Sequence, residues 1–235
     1  MIGELVPGSV ATEWRTDDSV PVALFPEEAA AVARAVEKRR QEFGTVRHCA
    51  RLALGRLGVP EGPLPPGKRG APRWPEGIAG SMTHCEGYRA AAVARTADVA
   101  SLGIDAEPAE ATLPDGVLPV ISLPEERRHL DELAAGAPRM PWGRLLFSAK
   151  ESVFKTWYPL TGQELDFEEA VIAFTPDGGD GAHAGTSTGA GTGAGTFTAE
   201  LLVPGPVVDG TRRDGFTGRW LVRDGVVLTA IVLTR

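Results

Sequence analysis

Cysteine is scarce in this chain, whose 235 residues include only Cys49 and Cys85. Their separation matches no zinc-binding motif, and one pair could not form the disulfide framework that stabilises small secreted domains. Residues 1–4 also lack the basic start and the apolar core of a signal peptide. We therefore expect the protein to work in a reduced, cytoplasmic compartment.

Long apolar runs and an excess of basic charge are missing as well. The longest strongly apolar stretch, Val226 to Leu233, contains a threonine and is far too short to cross a bilayer. The 24 Lys and Arg residues are outnumbered by 31 Asp and Glu, whereas nucleic-acid-binding domains usually carry a basic excess. We therefore expect neither a membrane nor a nucleic acid among the partners. The length suits one large domain or two small ones that pack closely.

Hydrophobic periodicity predicts where the regular elements lie. One helical pattern covers residues 26–57, with an interruption expected at Gly44, and another covers residues 142–158 and should end before Pro159. Alternating or continuous apolar patterns predict strands over residues 78–84, 88–95, 101–107, 170–174, 197–203, 218–223 and 226–233. The Asp224-Gly225 dipeptide between the last two predicts a hairpin turn.

Two acids stand in the segment Gly-Ile-Asp-Ala-Glu at residues 103–107. On a strand, residues two apart point to the same side, so Asp105 and Glu107 present their carboxylates together. Magnesium is commonly held by one or two carboxylates, with water and substrate phosphates as its other ligands. The alternative is a pair of solvent-facing acids on an edge strand, which is the more common meaning of such a pair in isolation.

A second charged group lies in Phe-Ser-Ala-Lys-Glu-Ser-Val-Phe-Lys at residues 147–155. Glu151 and Lys155 are one helical turn apart, and Lys150 flanks them. An exposed pair of this kind would contribute only ~0.3–0.5 kcal/mol to stability. The flanking aromatic and aliphatic residues indicate a largely buried helix, and buried charges need a metal, a partner or an anionic ligand to compensate them.

The histidine at position 84 has a cysteine as its neighbour, which raises the alternative of a Cys–His nucleophile. Adjacent strand residues point to opposite faces, so the side chains of His84 and Cys85 should not meet, and we reject cysteine catalysis.

These segments, in this order and spacing, resemble the Sfp/EntD-type 4′-phosphopantetheinyl transferases, with the actinobacterial PptT-like branch as the most similar. The resemblance is carried by G-I-D-A-E and F-S-A-K-E-S-V-F-K, together with R-R-Q-E-F-G-T-V-R-H-C-A-R (39–51), G-K-R-G-A-P-R-W-P (67–75), G-S-M-T-H-C (80–85) and L-T-A-I-V-L (228–233). It covers most of the chain between residues 37 and 160.

The resemblance implies a catalytic centre. Asp105, Glu107 and Glu151 match metal ligands, with Mg²⁺ expected and Mn²⁺ as an alternative ion. Asp105, Glu151 and Lys155 match the catalytic residues, with Glu151 as the general base. Lys155 matches a lysine near the coenzyme phosphates, and Lys150 lies beside it.

The resemblance also implies a binding surface for coenzyme A. The residues that match coenzyme contacts outside the catalytic centre are Arg39, Arg47, Lys68, Arg69, Thr83 and His84. The two arginines on the first long helix match groups that hold the nucleotide's terminal phosphate. Two prolines precede Gly67 where relatives carry a basic residue, so whether Lys68 or Arg69 makes the loop contact stays open.

The fold implied by the resemblance is α+β and pseudo-twofold, with similar halves at residues 1–102 and 103–235 and a mobile Gly/Thr/Ala-rich loop at 178–195. The implied enzyme is a monomer that moves phosphopantetheine from coenzyme A to a serine of apo acyl or peptidyl carrier proteins and releases 3′,5′-ADP. Two alternatives remain at this point: a metal-dependent nuclease or phosphohydrolase, and a catalytically silent coenzyme A-binding protein.

Overall fold

The structure is a computed structural model that describes residues 1–110, 113–177 and 190–235, with Arg69 described by its backbone alone. The helices are α1 Pro26–Ala31, α2 Glu37–Arg56, α3 Val117–Ile121, α4 Pro124–Gly136 and α5 Trp142–Thr161. The strands are β1 Ala11–Arg15, β2 Ile78–Cys85, β3 Tyr88–Arg95, β4 Val99–Pro108, β5 Ala170–Pro176, β6 Gly193–Leu201, β7 Val207–Val208, β8 Thr211–Arg212, β9 Gly215–Arg223 and β10 Val226–Thr234. Short 3₁₀ helices cover Ile2–Glu4, Lys68–Gly70 and Phe167–Glu169.

Two antiparallel sheets organise the described residues. A three-stranded sheet has the order β1-β3-β2, and a five-stranded sheet has the order β4-β10-β9-β6-β5. The long helix α2 packs on the first sheet, and the long helix α5 packs across β4 and β10 of the second. This combination of helices with antiparallel sheets is the α+β fold that the sequence predicted.

The halves are similar, as expected for a pseudo-twofold fold. In each half the first strand pairs antiparallel with the last, and a short helix that begins with proline precedes the long helix on the sheet. The short helices start with related segments, Phe25–Glu28 and Leu123–Glu126, and in both the glutamate side chain accepts a hydrogen bond from the backbone N–H just before the proline.

These two glutamates are also equivalent in their other contacts. Glu28 and Glu126 are almost fully buried, and each accepts a hydrogen bond from the backbone of a segment after the long helix. Each forms an ion pair with that helix, Glu28 with Arg51 at 2.9 Å and Glu126 with Lys150 at 2.8 Å. A buried charge is tolerated when it is paired and hydrogen-bonded, so both pairs anchor a long helix to its half.

The halves share a core at their junction. Tyr88 and Ala92 of the first sheet pack in one buried cluster with Leu102, Ile104 and Leu228 of the second. Strand β2 lies beside β4 without strand pairing in the described residues. Instead, side-chain hydroxyls of β2 accept hydrogen bonds from backbone N–H groups of β4 at 3.0 and 3.1 Å. The end of β4 therefore lies between the two halves.

Two predicted helix boundaries are wrong. Gly44 does not interrupt α2, because it is buried against Val22 and packing outweighs the ~1 kcal/mol that glycine costs in a helix. Helix α5 continues through Pro159 to Thr161, since a proline removes only one helical N–H donor and only two helical residues follow it, and Gly162 then ends the helix in the left-handed region. Strand β1 was not predicted, since its sequence Ala-Thr-Glu-Trp-Arg has no clear apolar alternation.

The predicted hairpin is confirmed, with positive φ at both Asp224 and Gly225. The predicted loop 178–195 lies partly outside the described residues, and its end at 193–195 belongs to β6. The division between residues 102 and 103 stays a proposal; it falls inside β4. None of the helices in the described part of the chain is long and apolar enough to cross a membrane.

Candidate active site

Asp105 lies on β4, where α5 crosses the strand, and only 4% of it is exposed. Its Oδ1 accepts hydrogen bonds from Lys155 Nζ at 2.6 Å and from Thr83 Oγ1 at 3.2 Å. Its Oδ2 is buried and has no hydrogen-bond partner among the residues that the structure describes. Buried polar atoms are nearly always satisfied in folded proteins, so an unpartnered carboxylate oxygen indicates a position for a ligand such as a cation.

Glu107 follows two residues later on the same side of β4, as the sequence predicted. Arg144 of α5 donates to it at 2.8 Å. Burial raises the pKa of Glu107 and the charge of Asp105 raises it further, while Arg144 lowers it. The sequence analysis missed Arg144, although its position two helical turns before Glu151 puts it on the same side of α5.

Glu151 is half-buried on α5 and forms no hydrogen bond within the described residues. Burial raises the pKa of Glu151, Lys155 lowers it, and the nearby charge of Asp105 raises it. The carboxylate therefore keeps its acceptor capacity free and has a higher proton affinity than a solvated glutamate. Both properties suit a general base.

The predicted metal ligands are not preassembled as a cluster of three. Among the residues that the structure describes, no group of three or more His, Cys, Asp or Glu is close enough together to hold a metal ion. Asp105 is turned to Lys155 and Glu107 to Arg144, because neighbouring carboxylates repel one another and take the nearest protein cations. The orphaned Oδ2 of Asp105 is the feature that still fits a cation.

The pair of Lys155 and Asp105 has an equivalent in the N-terminal half. Arg56 lies five residues after Arg51 on α2, as Lys155 lies five residues after Lys150 on α5. Arg56 forms an ion pair with Glu13 on β1. Each cation also donates to the carbonyl of the residue before the acid, at 3.1 and 3.2 Å. A helix–strand ion pair at this position is therefore a property of both halves. The Lys155–Asp105 pair alone does not indicate a catalytic site, which needs the additional carboxylates Glu107 and Glu151.

Lys150 is held by buried partners of its own, and its coenzyme contact stays a prediction that these partners do not favour. Its ammonium donates to Glu126 at 3.0 Å and to the carbonyls of Phe167 and Ala170 at 2.7 and 2.5 Å. These three bonds use all of its donors, and burial lowers its pKa. Although Lys150 is adjacent to Glu151 in sequence, neighbours on a helix point about 100° apart, so one anchors the helix and the other faces the site.

Replacing Lys150 by methionine tests this assignment. Because the buried Glu126 would lose its counter-ion, we expect the free energy of unfolding to fall by ~3–5 kcal/mol and the melting temperature by roughly 10 °C. The KM for coenzyme A of the folded variant, measured well below its melting temperature, should stay unchanged. Lys155→Met is the control, and we expect it to raise the KM for coenzyme A with little loss of stability, since Lys155 is 27% exposed and faces the site. A raised KM in Lys150→Met would return Lys150 to the binding surface.

Thr83 and His84 differ in their surroundings. The Thr83 hydroxyl donates to Asp105 and accepts from the N–H of Ala106 at 3.0 Å, so it positions the acid. Its coenzyme contact stays a prediction. His84 keeps one edge near solvent, where its Nε2 contacts Arg39. Burial lowers the pKa of His84, and Arg39 lowers it further.

Arg47 lies on the same helix as Arg39, α2, and is buried. Its Nε donates to the carbonyl of Leu64 at 2.9 Å, and its guanidinium lies over the ring of Phe43 at 3.2 Å. Burial lowers its pKa to about 10. Its carboxylate partner Glu28 is 3.9 Å away and is already paired with Arg51 at 2.9 Å. Arg51 also lies 3.4 Å from Glu61, but Glu61 is largely exposed, so the two buried cations share one buried anion. The excess positive charge favours an anionic ligand.

Of the two candidates in the loop after α2, Lys68 is exposed in its short 3₁₀ helix. The side chain of Arg69 lies outside what the structure describes. Both positions remain predictions.

Comparison with known proteins gives two consecutive family matches. The model described as "4′-phosphopantetheinyl transferase N-terminal domain" matches residues 27–94, and that of the "4′-phosphopantetheinyl transferase superfamily" matches residues 101–192.

Curated relatives match almost end to end. The chain is 61% identical over 236 residues to the 4′-phosphopantetheinyl transferase Svp of Streptomyces mobaraensis, covering 99% of this chain and 89% of that relative. It is 47% identical over 232 residues to Npt of Nocardia iowensis, covering 98% and 99%. It is 49% identical over 209 residues to PptT of Mycobacterium tuberculosis, covering 89% and 86%. Npt and PptT, like Svp, are named 4′-phosphopantetheinyl transferases.

Proposed function

Because this chain belongs to the 4′-phosphopantetheinyl transferase family and transfers phosphopantetheine to carrier proteins, we propose that Asp105, Glu107, Glu151 and Lys155 form its catalytic centre with one Mg²⁺ ion. Enzymes of this family take the group from coenzyme A and use a divalent metal. The choice of magnesium over manganese is part of the proposal, as is a monomeric, cytoplasmic protein.

The observation that carries the proposal is the unpartnered Oδ2 of Asp105, buried beside two carboxylates of raised pKa. Asp105, Glu107 and Glu151 are the residues that would hold the ion, and Glu107 would exchange Arg144 for it. A bound divalent cation would neutralise charge that develops on the diphosphate as 3′,5′-ADP leaves.

Glu151 accepts the proton of the carrier's serine in this proposal. The serine oxygen then forms a bond to the phosphorus that carries the pantetheine arm, and the bond from that phosphorus to the bridging oxygen of 3′,5′-ADP breaks. Lys155 lies 2.6 Å from Asp105 at the mouth of the site, so its ammonium can orient the diphosphate while staying near the acid. Positioning and electrostatics supply most of the catalysis in phosphoryl transfer.

The nucleotide end of coenzyme A is assigned to the surface formed by Arg39, Arg47 and His84. Arg39 and Arg47 are eight residues apart on α2, about two turns, and the charge of Arg39 lowers the pKa of Arg47 further. A buried guanidinium that shares its buried counter-ion with a second arginine suits the separate ribose phosphate, which it can bind with two parallel hydrogen bonds. Lys68 or Arg69 completes this surface in the proposal.

Arg47→Ala is expected to raise the KM for coenzyme A by about 10- to 100-fold, the value of a ~1.5–3 kcal/mol hydrogen bond to a charged group. The defect should shrink with dephospho-coenzyme A, which lacks the ribose phosphate. Steady-state kinetics with both substrates measures this.

Arg51→Ala is the matched control, because Arg51 contacts the same Glu28 without facing the proposed phosphate. It should lower stability and leave the ratio of the two KM values unchanged. An equal defect of Arg47→Ala with both substrates would mean that Arg47 only packs the helix.

The function itself is tested by mass spectrometry of apo-carrier proteins incubated with coenzyme A and Mg²⁺, Mn²⁺ or a chelator. Modification of the carrier's serine with stoichiometric release of 3′,5′-ADP is the expected result. Release of inorganic phosphate would instead indicate a phosphohydrolase, and binding without turnover would indicate a silent coenzyme-binding protein.

A further inference from the structure

Three buried hydroxyls join α5 to the sheet beneath it. Thr229 on β10 lies directly opposite Asp105 in the strand register and donates from Oγ1 to the carbonyl of Ser148 at 2.9 Å. The hydroxyls of Ser148 and Ser152 contact the same Oγ1 at 2.9 and 2.7 Å. A threonine hydroxyl has one hydrogen and two lone pairs, so these three contacts saturate it. Ser148, Ser152 and Thr229, here called the hydroxyl triad, are all fully buried.

The N-terminal half places apolar residues at the equivalent positions. On α2, Cys49 and Ala53 lie two residues before and two residues after Arg51, the partner of Glu28. On α5, Ser148 and Ser152 lie two residues before and two residues after Lys150, the partner of Glu126. Ala91 lies opposite Glu13 in the register, as Thr229 lies opposite Asp105. All three are fully buried in one apolar cluster. This architecture therefore forms without hydroxyls at this contact.

The C-terminal half also brings its long helix closer to the first strand. A Cβ at Gly103, two residues before Asp105, would lie 2.2 Å from the carbonyl oxygen of Ser152. The equivalent residue on β1, two before Glu13, is Ala11, which has a Cβ. The glycine thus permits, and the hydroxyl triad fixes, a close contact that the other half does not have.

The consequence falls on Glu151 and Lys155. They precede Ser152 and Thr156 by one residue each, so a small rotation or lift of α5 would carry both away from β4. In the N-terminal half, which has neither the glycine nor the hydroxyls at this contact, the equivalent side chain Arg56 is 59% exposed, whereas Lys155 is 27% exposed.

We propose that the hydroxyl triad is a positioning device for catalysis: it fixes the rotation and height of α5 so that Glu151 and Lys155 stand against Asp105, and folding does not require it. The inference rests on the proposed role of Glu151. The apolar contact at the equivalent position of the N-terminal half supports the statement that folding does not require the triad.

The test makes the same contact of α5 and β10 apolar with the variant Ser148→Ala/Ser152→Ala/Thr229→Val, which leaves no unpaired hydroxyl behind. We expect a cooperatively folded protein whose kcat for transfer falls by about 10- to 100-fold, the usual cost of a misplaced catalytic group. The KM for coenzyme A should rise by less than kcat falls, because the residues assigned to the nucleotide end, Arg39, Arg47 and His84, do not lie on α5. Thr229→Ser alone keeps the hydroxyl and should keep the activity.

Two controls separate positioning from general loosening. Leu228→Ala, the neighbour of Thr229 on the opposite face of β10, should lower the melting temperature without lowering kcat. In a double-mutant cycle, the triad substitutions should cost much less kcat in a Glu151→Gln background than in the wild type, since they act through that residue.

Three results would overturn the inference: a triad variant that does not fold, one that transfers at the wild-type rate, or a loss of kcat that simply adds to that of Glu151→Gln. Failure of the proposed function reads differently, because Glu151→Gln alone would then transfer at the wild-type rate whatever the triad variant does.

Discussion

Asp105→Ala is expected to lower kcat for phosphopantetheine transfer by about 10³-fold or more, which corresponds to ~4 kcal/mol in the activation barrier. The substitution removes Oδ2, which has no hydrogen-bond partner in the described part of the chain and which the proposal assigns to the cation. Stability should not fall with activity, because the variant loses a buried unsatisfied atom and Lys155 is exposed enough to be solvated. Transfer kinetics and a thermal melt of the same preparations measure both quantities.

Glu13→Ala is the matched control for this variant. It removes the equivalent helix–strand ion pair, that of Glu13 with Arg56, from the half without the acidic centre. We expect wild-type transfer and a stability change under ~1 kcal/mol, since the arginine is largely exposed. Near-normal turnover of Asp105→Ala at saturating coenzyme A and metal would sink the metal assignment.

Glu151→Gln is expected to lower kcat by ~10²–10⁴-fold, the usual contribution of a general base. Glutamine keeps the shape of the side chain and loses both its charge and its basicity. If Glu151 were only a helix charge beside Lys155, the same change would cost under ~1 kcal/mol of stability and leave turnover intact. A variant that melts lower and transfers at the wild-type rate would give Glu151 a structural role and no catalytic one.

The same residue predicts a pH dependence. Burial raises the pKa of Glu151 above its value in the unfolded chain, so folding disfavours its charged form. Below the unfolded pKa the group is neutral in both states and costs nothing. As pH rises through the unfolded and then the folded pKa, the wild type loses stability that Glu151→Gln does not lose.

In the absence of ligands, therefore, the variant should melt at or above the wild-type temperature near neutral pH, and the difference should vanish in acid. Metal and coenzyme A should stabilise the wild type more than the variant, because the wild type has the additional ligand. A neutral-pH melting temperature of the variant below the wild type, without ligands, would contradict the direction of the pKa shift.

The sequence by itself determined the chemistry and most of the elements. Asp105 and Glu107 share a side because strand residues alternate, and Glu151 and Lys155 share a face because helix residues repeat every 3.6 positions. These are short-range consequences of backbone geometry. The motif order was enough to predict the family, and the family models and the relatives bear this out.

Only the tertiary structure decided which charges face the site. Lys150 and Arg51 are ordinary helix cations in sequence, yet each compensates a buried glutamate from a distant segment. Thr83 and Arg144 came next to the acids through packing of separate elements, which leaves no local pattern. The free energy of a charge depends on its neighbours within a few ångströms, and chain order does not fix those neighbours. Backbone periodicity thus set the direction of each side chain, and packing between separate helices, strands and loops determined what it meets.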